Sequence, residues 1–285
     1  MPESVPGVRD IFVQANGLRH HLIARGAPGA PVVMMIHGLA GQAHTFDGIA
    51  ARLARRFHVY CLDVRGRGET EWGPAGGYHV DNYVADLEAV RAALGLDRIA
   101  LVGTSMGGVI SMNYAPKFPD HVTRIALNDI GPELDPAGIA RIVQYVGHAP
   151  DAFADMKAVV KYYRDNYGPM VANLPDDQVT EFARWNVRRS DSGVWVWKMD
   201  PAVRTQPPVA SSVQPWDAYN AISCPLLILR GAQSDLLSTD TLAKMVEAHP
   251  GTKAVTVPNV GHAPLLTEPE AATALEEFLA PLLQP

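Results

Sequence analysis

The sequence predicts an α/β fold with a mostly parallel central sheet covered by helices on both faces. Short apolar runs rich in β-branched residues alternate with segments of helical periodicity, an order typical of parallel sheets. Hydrophobic residues make up 47% of the 285 residues and charged residues 19%, which is enough apolar surface for a large core and too little charge for a disordered chain. At roughly 150 residues per domain, this length favours one large domain or two smaller ones.

The chain opens with a predicted hairpin, strands 10–14 and 18–25, joined through Asn16-Gly17 because Asn-Gly suits the positive φ of a tight turn. Further buried strands are predicted at 32–36, 59–62, 99–102, 125–127, 226–229 and 253–257. A helix with one apolar face spans 80–94 and stops at Gly95. Further helical patterns of the alternating part of the chain lie at 46–54, 106–114, 239–249 and 269–282.

The alternation is interrupted by an insertion. Between residues 132 and 220, helical patterns at 139–146, 152–166 and 176–188 follow one another, with a short strand at 194–197 as the only β-like run. We therefore expect a core domain formed by residues 1–131 and 221–285, with residues 132–220 inserted as a helical cap. Four of the five tryptophans lie in this insertion, so it should cover something large and apolar.

Charge and cysteine content narrow the possible partners. Lys and Arg number 24 against 30 Asp and Glu, a net charge of −6, which argues against nucleic acid or an anionic membrane as the main partner. The two cysteines, Cys61 and Cys224, lie in apolar runs and are expected as reduced thiols. The first residues lack a basic segment followed by an apolar stretch, and no run approaches the roughly 20 apolar residues of a membrane span. The expectation is a cytoplasmic protein whose partner is a small-molecule substrate, with the oligomeric state open between monomer and homodimer.

The strongest chemical motif is Gly103-Thr-Ser105-Met-Gly107, which follows the predicted strand 99–102 and precedes a predicted helix. A G-x-S-x-G sequence in this context is a nucleophile elbow, a sharp strand-to-helix turn that lifts a serine to the edge of the sheet. The glycines are needed because the turn leaves no room for Cβ atoms beside the serine. A phosphate-binding loop would need Lys-Ser/Thr at Val109-Ile110, so Ser105 is predicted to be a nucleophile.

With this motif the chain resembles the α/β-hydrolase fold superfamily over nearly its whole length, in particular the serine esterase and lactonase-like members that carry a helical cap. The family's oxyanion loop, H-G-x, corresponds to residues 37–41, and its D-x-R-G-x-G turn to residues 63–68. By resemblance, the backbone N–H groups of Leu39 and Met106 form the oxyanion hole. The G-H-x-P loop at 261–264 matches the family's catalytic histidine, His262, whose pKa near 6.5 suits proton transfer at neutral pH.

The resemblance implies a third member, an acid that orients the histidine, and the sequence offers two candidates. Asp235 follows strand 226–229 within Arg-Gly-Ala-Gln-Ser-Asp, similar to the family's turn at this place, and is the first choice. Asp129 follows the preceding strand of the core, where some superfamily members place the acid, and is the alternative. Both carboxylates come at the carboxyl edge of the sheet, so chain order alone leaves the choice open.

The substrate pocket is predicted from the oxyanion loop, the elbow and the cap aromatics. Its expected members are His37, Gly38, Ala40, Thr104, Trp185, Trp195 and Trp197.

The site as a whole implies a serine hydrolase, carboxylesterase-like, that cleaves an ester or related acyl bond of a small, partly apolar molecule through an acyl-enzyme. No cofactor and no metal are expected. The same triad leaves open a C–C bond hydrolase, a lactonase or a cofactor-free peroxidase. A non-enzymatic ligand-sensing receptor is the alternative from a different class.

Overall fold

An eight-stranded sheet lies at the centre of the fold in the computed structural model. The structure describes residues 7–74, 76–167, 171, 174–205 and 211–284. The strands in chain order are β1 Arg9–Ala15, β2 Leu18–Arg25, β3 Val32–Ile36, β4 His58–Leu62, β5 Ile99–Thr104, β6 Val122–Asn128, β7 Ala152–Phe153, β8 Val187–Arg189, β9 Trp195–Trp197, β10 Leu226–Gly231 and β11 Lys253–Val257. The order across the main sheet is β1-β2-β4-β3-β5-β6-β10-β11. The hairpin strands β1 and β2 pair antiparallel, β2 joins β4 antiparallel, and all remaining pairs are parallel. The predicted α/β fold with a mostly parallel sheet is confirmed.

Helices of the core cover both faces of this sheet. The α-helices of the described residues are, in chain order, α1 Asp47–Leu53, α2 Val80–Ala93, α3 Met106–Lys117, α4 Pro136–Gly147, α5 Met156–Asn166, α6 Asp176–Arg184, α7 Pro201–Thr205, α8 Pro215–Asn220, α9 Thr239–Ala248 and α10 Pro269–Leu279. Because successive strand residues point to opposite faces, Met34 and Ile36 of β3 join one buried apolar cluster while Val33 and Met35 join the other. A strand buried on both faces must be apolar at every position, which is why it reads as a continuous hydrophobic run.

Residues 132–220, called the cap segment below, contribute no strand to the main sheet among the residues that are described. They form α4 to α8 and a small antiparallel sheet, β7-β9-β8. Two predicted helices here are too long. Residues 152–153 form β7, and α5 starts only after Asp155, whose side chain accepts a hydrogen bond from Ala158 N and caps the helix. The helix predicted at 176–188 ends at Arg184, because residues 187–189 pair with β9.

Within the described ranges, no helix is both long enough and apolar enough to cross a membrane.

Candidate active site

The turn at Ser105 has the geometry of a nucleophile elbow. Ser105 joins β5 to α3 with φ of +51° and ψ of −117°, a backbone conformation that costs free energy in any residue with a side chain. A Cβ atom on Gly107 would overlap the carbonyl oxygen of Ile36, and one on Gly103 would overlap the backbone of Gly107. The glycines of the motif are therefore required by the close approach of α3 to β3 and β5.

Ser105 lies next to His262, as the sequence predicts. The Ser105 hydroxyl is 2.9 Å from Nε2 of His262, and the opposite ring nitrogen, Nδ1, is 2.8 Å from Oδ2 of Asp129. The side chains of His262 and Asp129 are 6% and 0% exposed. With the proton on Nδ1, His262 donates to the carboxylate and its Nε2 accepts from the serine hydroxyl, which is the arrangement of a serine nucleophile with its base and the acid that orients the base.

The residue paired with the histidine is thus Asp129 and not Asp235, and the first choice made from the sequence is corrected. Asp235 instead forms a two-pronged ion pair with Arg141 of α4, at 2.5 and 2.9 Å. The hydrogen bond from Arg141 lowers the pKa of the Asp235 carboxyl below its ordinary value. Asp129 reaches His262 because its φ of +55° turns the chain sharply just beyond β6, while its N–H still donates to Leu229 O of the neighbouring strand.

Two further groups hold the Asp129 carboxylate. Gly231 N donates to Oδ1 at 2.9 Å, and the Ser234 hydroxyl donates to Oδ2 at 2.7 Å. The Ser234 oxygen in turn accepts from the N–H groups of Leu236 and Leu237 at 3.2 and 3.1 Å. The turn after β10, where the family resemblance had placed the acid, therefore supplies hydrogen-bond donors to an acid that follows β6. Ser234 was not among the site residues predicted from the sequence, although it lies in the same Arg-Gly-Ala-Gln-Ser-Asp turn as Asp235.

Asn128 links the nucleophile strand to the histidine loop. Its side-chain amide donates to Thr104 Oγ1 at 3.0 Å and to the carbonyl oxygen of Pro264 at 2.8 Å. Both contacts are buried, and Asn128 itself is fully inaccessible. Thr104, predicted to line the pocket, has its hydroxyl bound in this network and positions the loop that carries His262.

The loop after β3 is held rigidly beside Ser105. The Gly38 carbonyl oxygen accepts from His37 Nδ1 at 2.7 Å and from Gly41 N at 3.0 Å. Since a trans peptide directs its C=O and N–H to opposite sides, these bonds fix the direction in which Leu39 N–H points. Arg67 holds the next peptide through a 3.1 Å bond from Nε to Leu39 O.

His37 has a structural role in this loop. Its Nε2 accepts a 3.0 Å hydrogen bond from Val64 N, which requires the neutral ring. Complete burial lowers the pKa of His37 to about 4, and the ring therefore stays neutral at physiological pH. His37 does not line the pocket, and neither do Gly38 and Ala40, which belong to the same loop.

A cavity of about 370 Å³ opens at Ser105 between α3 and the cap segment. Leu39 and Met106, the predicted oxyanion-hole residues, line it together with Ser105. Its aliphatic wall includes Val109, Met112, Ile130, Leu134, Ile139 and Ile142. None of the described lining residues is charged or aromatic, so an uncharged, apolar group suits this space better than an ionic one.

The three cap tryptophans predicted in the pocket lie elsewhere. Trp197 packs edge-on against Phe153 and Tyr162, 5.2 and 5.4 Å between ring centroids, and its Nε1 donates to Pro150 O at 2.7 Å. Trp185 stacks on His44 at 3.5 Å, and Trp195 belongs to β9 of the small cap sheet. The contacts of Trp197 stabilise the cap segment and the stacking of Trp185 on His44 stabilises its contact with the core, because aromatic pairs of this kind add to the effect of burying the rings. The cap contributes aliphatic residues of α4 to the cavity instead.

Comparison with known proteins places this architecture in a family. A family model described as "alpha/beta hydrolase fold" matches residues 31–269. The chain belongs to the α/β-hydrolase fold family. A 3-hydroxybutyrate-oligomer hydrolase of Cupriavidus necator is 35% identical over 266 residues, covering 89% of this chain and 90% of that protein. A 2-(acetamidomethylene)succinate hydrolase of Mesorhizobium japonicum is 28% identical over 85% of this chain and 84% of that protein, and an N-formylmaleamate deformylase of Pseudomonas putida is 28% identical over 88% of each.

Solved structures agree with this assignment. The crystal structure of an α/β hydrolase from Novosphingobium aromaticivorans superposes with a TM-score of 0.89 at 33% identity, covering 97% of this chain and 99% of that one. The structure of an E-2-(acetamidomethylene)succinate hydrolase superposes with a TM-score of 0.87 at 26% identity, over 96% and 99% of the two chains. The hydrolase relatives support a hydrolase activity for this chain.

Proposed function

We propose that the chain is a serine hydrolase that cleaves the carboxylic ester of a small, aliphatic, uncharged molecule. The observation that carries the proposal is the continuous hydrogen-bond chain Ser105–His262–Asp129 at the mouth of an aliphatic cavity. Such an arrangement activates a serine hydroxyl for attack on a carbonyl carbon.

In the first half-reaction, Ser105 Oγ bonds to the ester carbonyl carbon while its proton passes to Nε2 of His262. Asp129, which accepts from Nδ1, keeps that tautomer in place and stabilises the imidazolium that forms. The alcohol leaves with the proton from His262, and the acyl group remains on Ser105. In the second half-reaction, His262 removes a proton from water, the hydroxide adds to the acyl carbon, and Ser105 regains its proton as the acid departs.

The negative charge that develops on the carbonyl oxygen in the transition state must be stabilised by hydrogen-bond donors. Met106 N–H is the first of α3, where intrahelical partners are lacking and the helix dipole favours negative charge. Leu39 N–H is the second, and the bonds to Gly38 O and Leu39 O hold it in a fixed position. Donors that are held in place before reaction are worth about 3 kcal/mol each in transition-state stabilisation.

The lining of the cavity favours one kind of substrate among those for which the relatives are named. Substrates based on succinate or maleamate carry carboxylates, and burying a carboxylate without a cationic partner is very costly. No Lys or Arg occurs among the described residues that line this cavity. An oligomer of 3-hydroxybutyrate is neutral along its ester-linked chain. Its one carboxylate belongs to the alcohol part that leaves and not to the acyl part, so we favour a short hydroxyalkanoate ester as the substrate.

The test is hydrolysis of a panel of p-nitrophenyl esters, a lactone, an amide and a C–C cleavage substrate by wild type and Ser105→Ala. We expect rapid hydrolysis of short aliphatic esters, and stoichiometric labelling of wild type by a fluorophosphonate probe. Both should be lost in Ser105→Ala. Ser192→Ala, which alters an exposed serine of the cap segment, is the matched control and should behave as wild type.

Two outcomes would overturn the proposal. Labelling or ester hydrolysis that survives Ser105→Ala would show that another residue is the nucleophile. Cleavage of the amide or C–C substrate with esters left intact would show that the same three residues serve a different reaction.

A further inference from the structure

The aliphatic cavity ends in a polar pair of side chains, Asn113 of α3 and Ser211 of the cap segment. Both line the cavity, and the Ser211 hydroxyl donates to Asn113 Oδ1 at 2.8 Å. Gln214 and Pro215, which are exposed residues of the cap segment, line the cavity beside them. Asn113 lies seven residues beyond Met106 on α3, so the pair is at the end of the cavity remote from the elbow, and neither residue takes part in the hydrogen bonds around His262.

The Asn113 amide retains hydrogen-bonding capacity at this position. It is 4% exposed, and its contacts with described residues are one N–H donated to Val109 O at 2.9 Å and one bond accepted from Ser211. A primary amide offers two N–H groups and two lone pairs. One donor and one acceptor thus remain within the described part of the chain, and leaving them unused in an apolar cavity is costly. A ligand hydroxyl, which both accepts and donates, complements this pair more fully than a carbonyl, which only accepts.

The distance from Ser105 to this pair is set by α3. Met106 and Asn113 are seven residues apart on the helix, a rise of about 10 Å at 1.5 Å per residue. An extended chain advances about 1.2 Å per bond, so seven bonds cover about 8 Å. A polar group seven bonds from the carbonyl carbon can reach Asn113 once side-chain length is included.

We infer that Asn113 and Ser211 bind a hydroxyl at the far end of the acyl chain and select substrates about seven bonds long between the carbonyl carbon and that oxygen. We place the acyl chain in this cavity, since Ser105 lines the cavity and the acyl group stays bonded to Ser105 after the alcohol has left. This inference rests on the proposed esterase function.

The chemistry of a two-unit 3-hydroxybutyryl group fits this site. Its terminal hydroxyl oxygen is seven bonds from the carbonyl carbon, and its neutral ester linkage and two methyl groups would lie between the aliphatic walls. The inferred site would therefore favour acyl groups of two hydroxyacid units over single units, which are too short to reach Asn113.

The test compares p-nitrophenyl 7-hydroxyheptanoate with p-nitrophenyl octanoate, two esters with the same number of heavy atoms that differ only in the terminal oxygen. The measured quantity is the ratio of their kcat/KM values in wild type, Asn113→Leu and Ser211→Ala. p-Nitrophenyl butyrate, too short to reach the pair, reports on the intact catalytic residues in each variant. Ser212→Ala, next to Ser211 but bonded to Asp81 at the surface, is the matched control.

In wild type the hydroxylated ester should be preferred, and the preference should fall about tenfold in Asn113→Leu, the equivalent of one hydrogen bond. Ser211→Ala should lower it by a smaller factor, and butyrate hydrolysis and the control should stay within twofold of wild type. Ser211→Ala keeps the inference testable if Asn113→Leu fails to fold. A ratio that is the same in wild type and both variants would overturn the inference while leaving the esterase proposal intact. Absence of Ser105-dependent turnover of any ester, butyrate included, would instead refute the proposed function.

Discussion

Replacing Asp129 by asparagine tests the reassigned acid most sharply, because the structure specifies how the new amide must orient. All three partners of the carboxylate donate to it: Gly231 N to Oδ1, and Ser234 Oγ and His262 Nδ1 to Oδ2. The backbone N–H of Gly231 can only donate, so the oxygen of the introduced amide must face it. The amide NH₂ then points at Ser234 and His262. The Ser234 hydroxyl can turn to accept, but His262 accepts only by moving its proton from Nδ1 to Nε2.

That tautomer cannot remove the proton of Ser105, because Nε2 now carries a hydrogen of its own. A loss of about 10⁴ in kcat is expected from the wrong tautomer, which corresponds to about 5.5 kcal/mol of activation free energy. Asp235→Asn removes only the ion pair with Arg141, whose side chains are 37% and 30% exposed. Such a pair contributes at most about 1 kcal/mol, so kcat should remain within tenfold of wild type.

The assay is steady-state hydrolysis of p-nitrophenyl butyrate by both variants, with thermal unfolding and circular dichroism to show that each is folded. The reasoning fails if Asp235→Asn loses three or more orders of magnitude in kcat while Asp129→Asn stays within tenfold of wild type. That pattern would return the acid to the turn after β10.

Three further predictions follow from the packing of the core and the cap. Trp197→Ala should lower the free energy of unfolding, measured by urea titration, by about 3–5 kcal/mol. The relative rates of hydrolysis of butyrate and octanoate esters should stay unchanged, because the ring lies outside the cavity. A change in this selectivity at unaltered stability would contradict the prediction. His37 binds a proton near pH 6.5 when unfolded but only near pH 4 when folded, so its contribution to stability is present above pH 6.5 and is lost as pH falls from 6.5 toward 4. Wild type should therefore lose about 2 kcal/mol more than His37→Gln between pH 7 and pH 5, and equal pH dependence of the two in urea unfolding would refute the neutral buried ring. Gly107→Ala should lower the free energy of unfolding by about 3 kcal/mol and abolish fluorophosphonate labelling. The control is Gly147→Ala in α4, where an added Cβ has no neighbour within 4 Å. It should leave the labelling unchanged and the melting temperature unchanged or slightly raised.

Local sequence signals were reliable wherever the determining interaction lies within a few residues. The continuous apolar runs at β3, β5 and β10 predict strands buried on both faces, and the alternation with helices predicts a parallel sheet. The elbow could be recognised from its two glycines. A Cβ on Gly103 would meet the backbone of Gly107 within the turn itself, whereas a Cβ on Gly107 would meet the Ile36 carbonyl of β3. The predicted helices that proved too long, at 152–166 and 176–188, failed where pairing with β9, a strand from elsewhere in the cap segment, outweighed helical periodicity.

The choice of acid and the composition of the pocket depend on contacts between distant parts of the chain. Asp129 and Asp235 both follow strands at the carboxyl edge of the sheet, and no local pattern tells which carboxylate faces His262, 133 residues after Asp129. Arg141, on a cap helix, pairs with one of them and leaves the other to the histidine.

The tryptophans show the same limit for hydrophobicity. Their size indicates that they are buried, but apolar burial is not directional, so it does not say whether a ring packs in the cap or lines the substrate cavity. The sequence therefore determined the sheet, the elbow and the pairing of Ser105 with His262, because local sterics and the order of the strands are sufficient to specify these features. The partner of the histidine and the walls of the cavity depended on how the cap packs on the core, and only the folded chain brings those residues together.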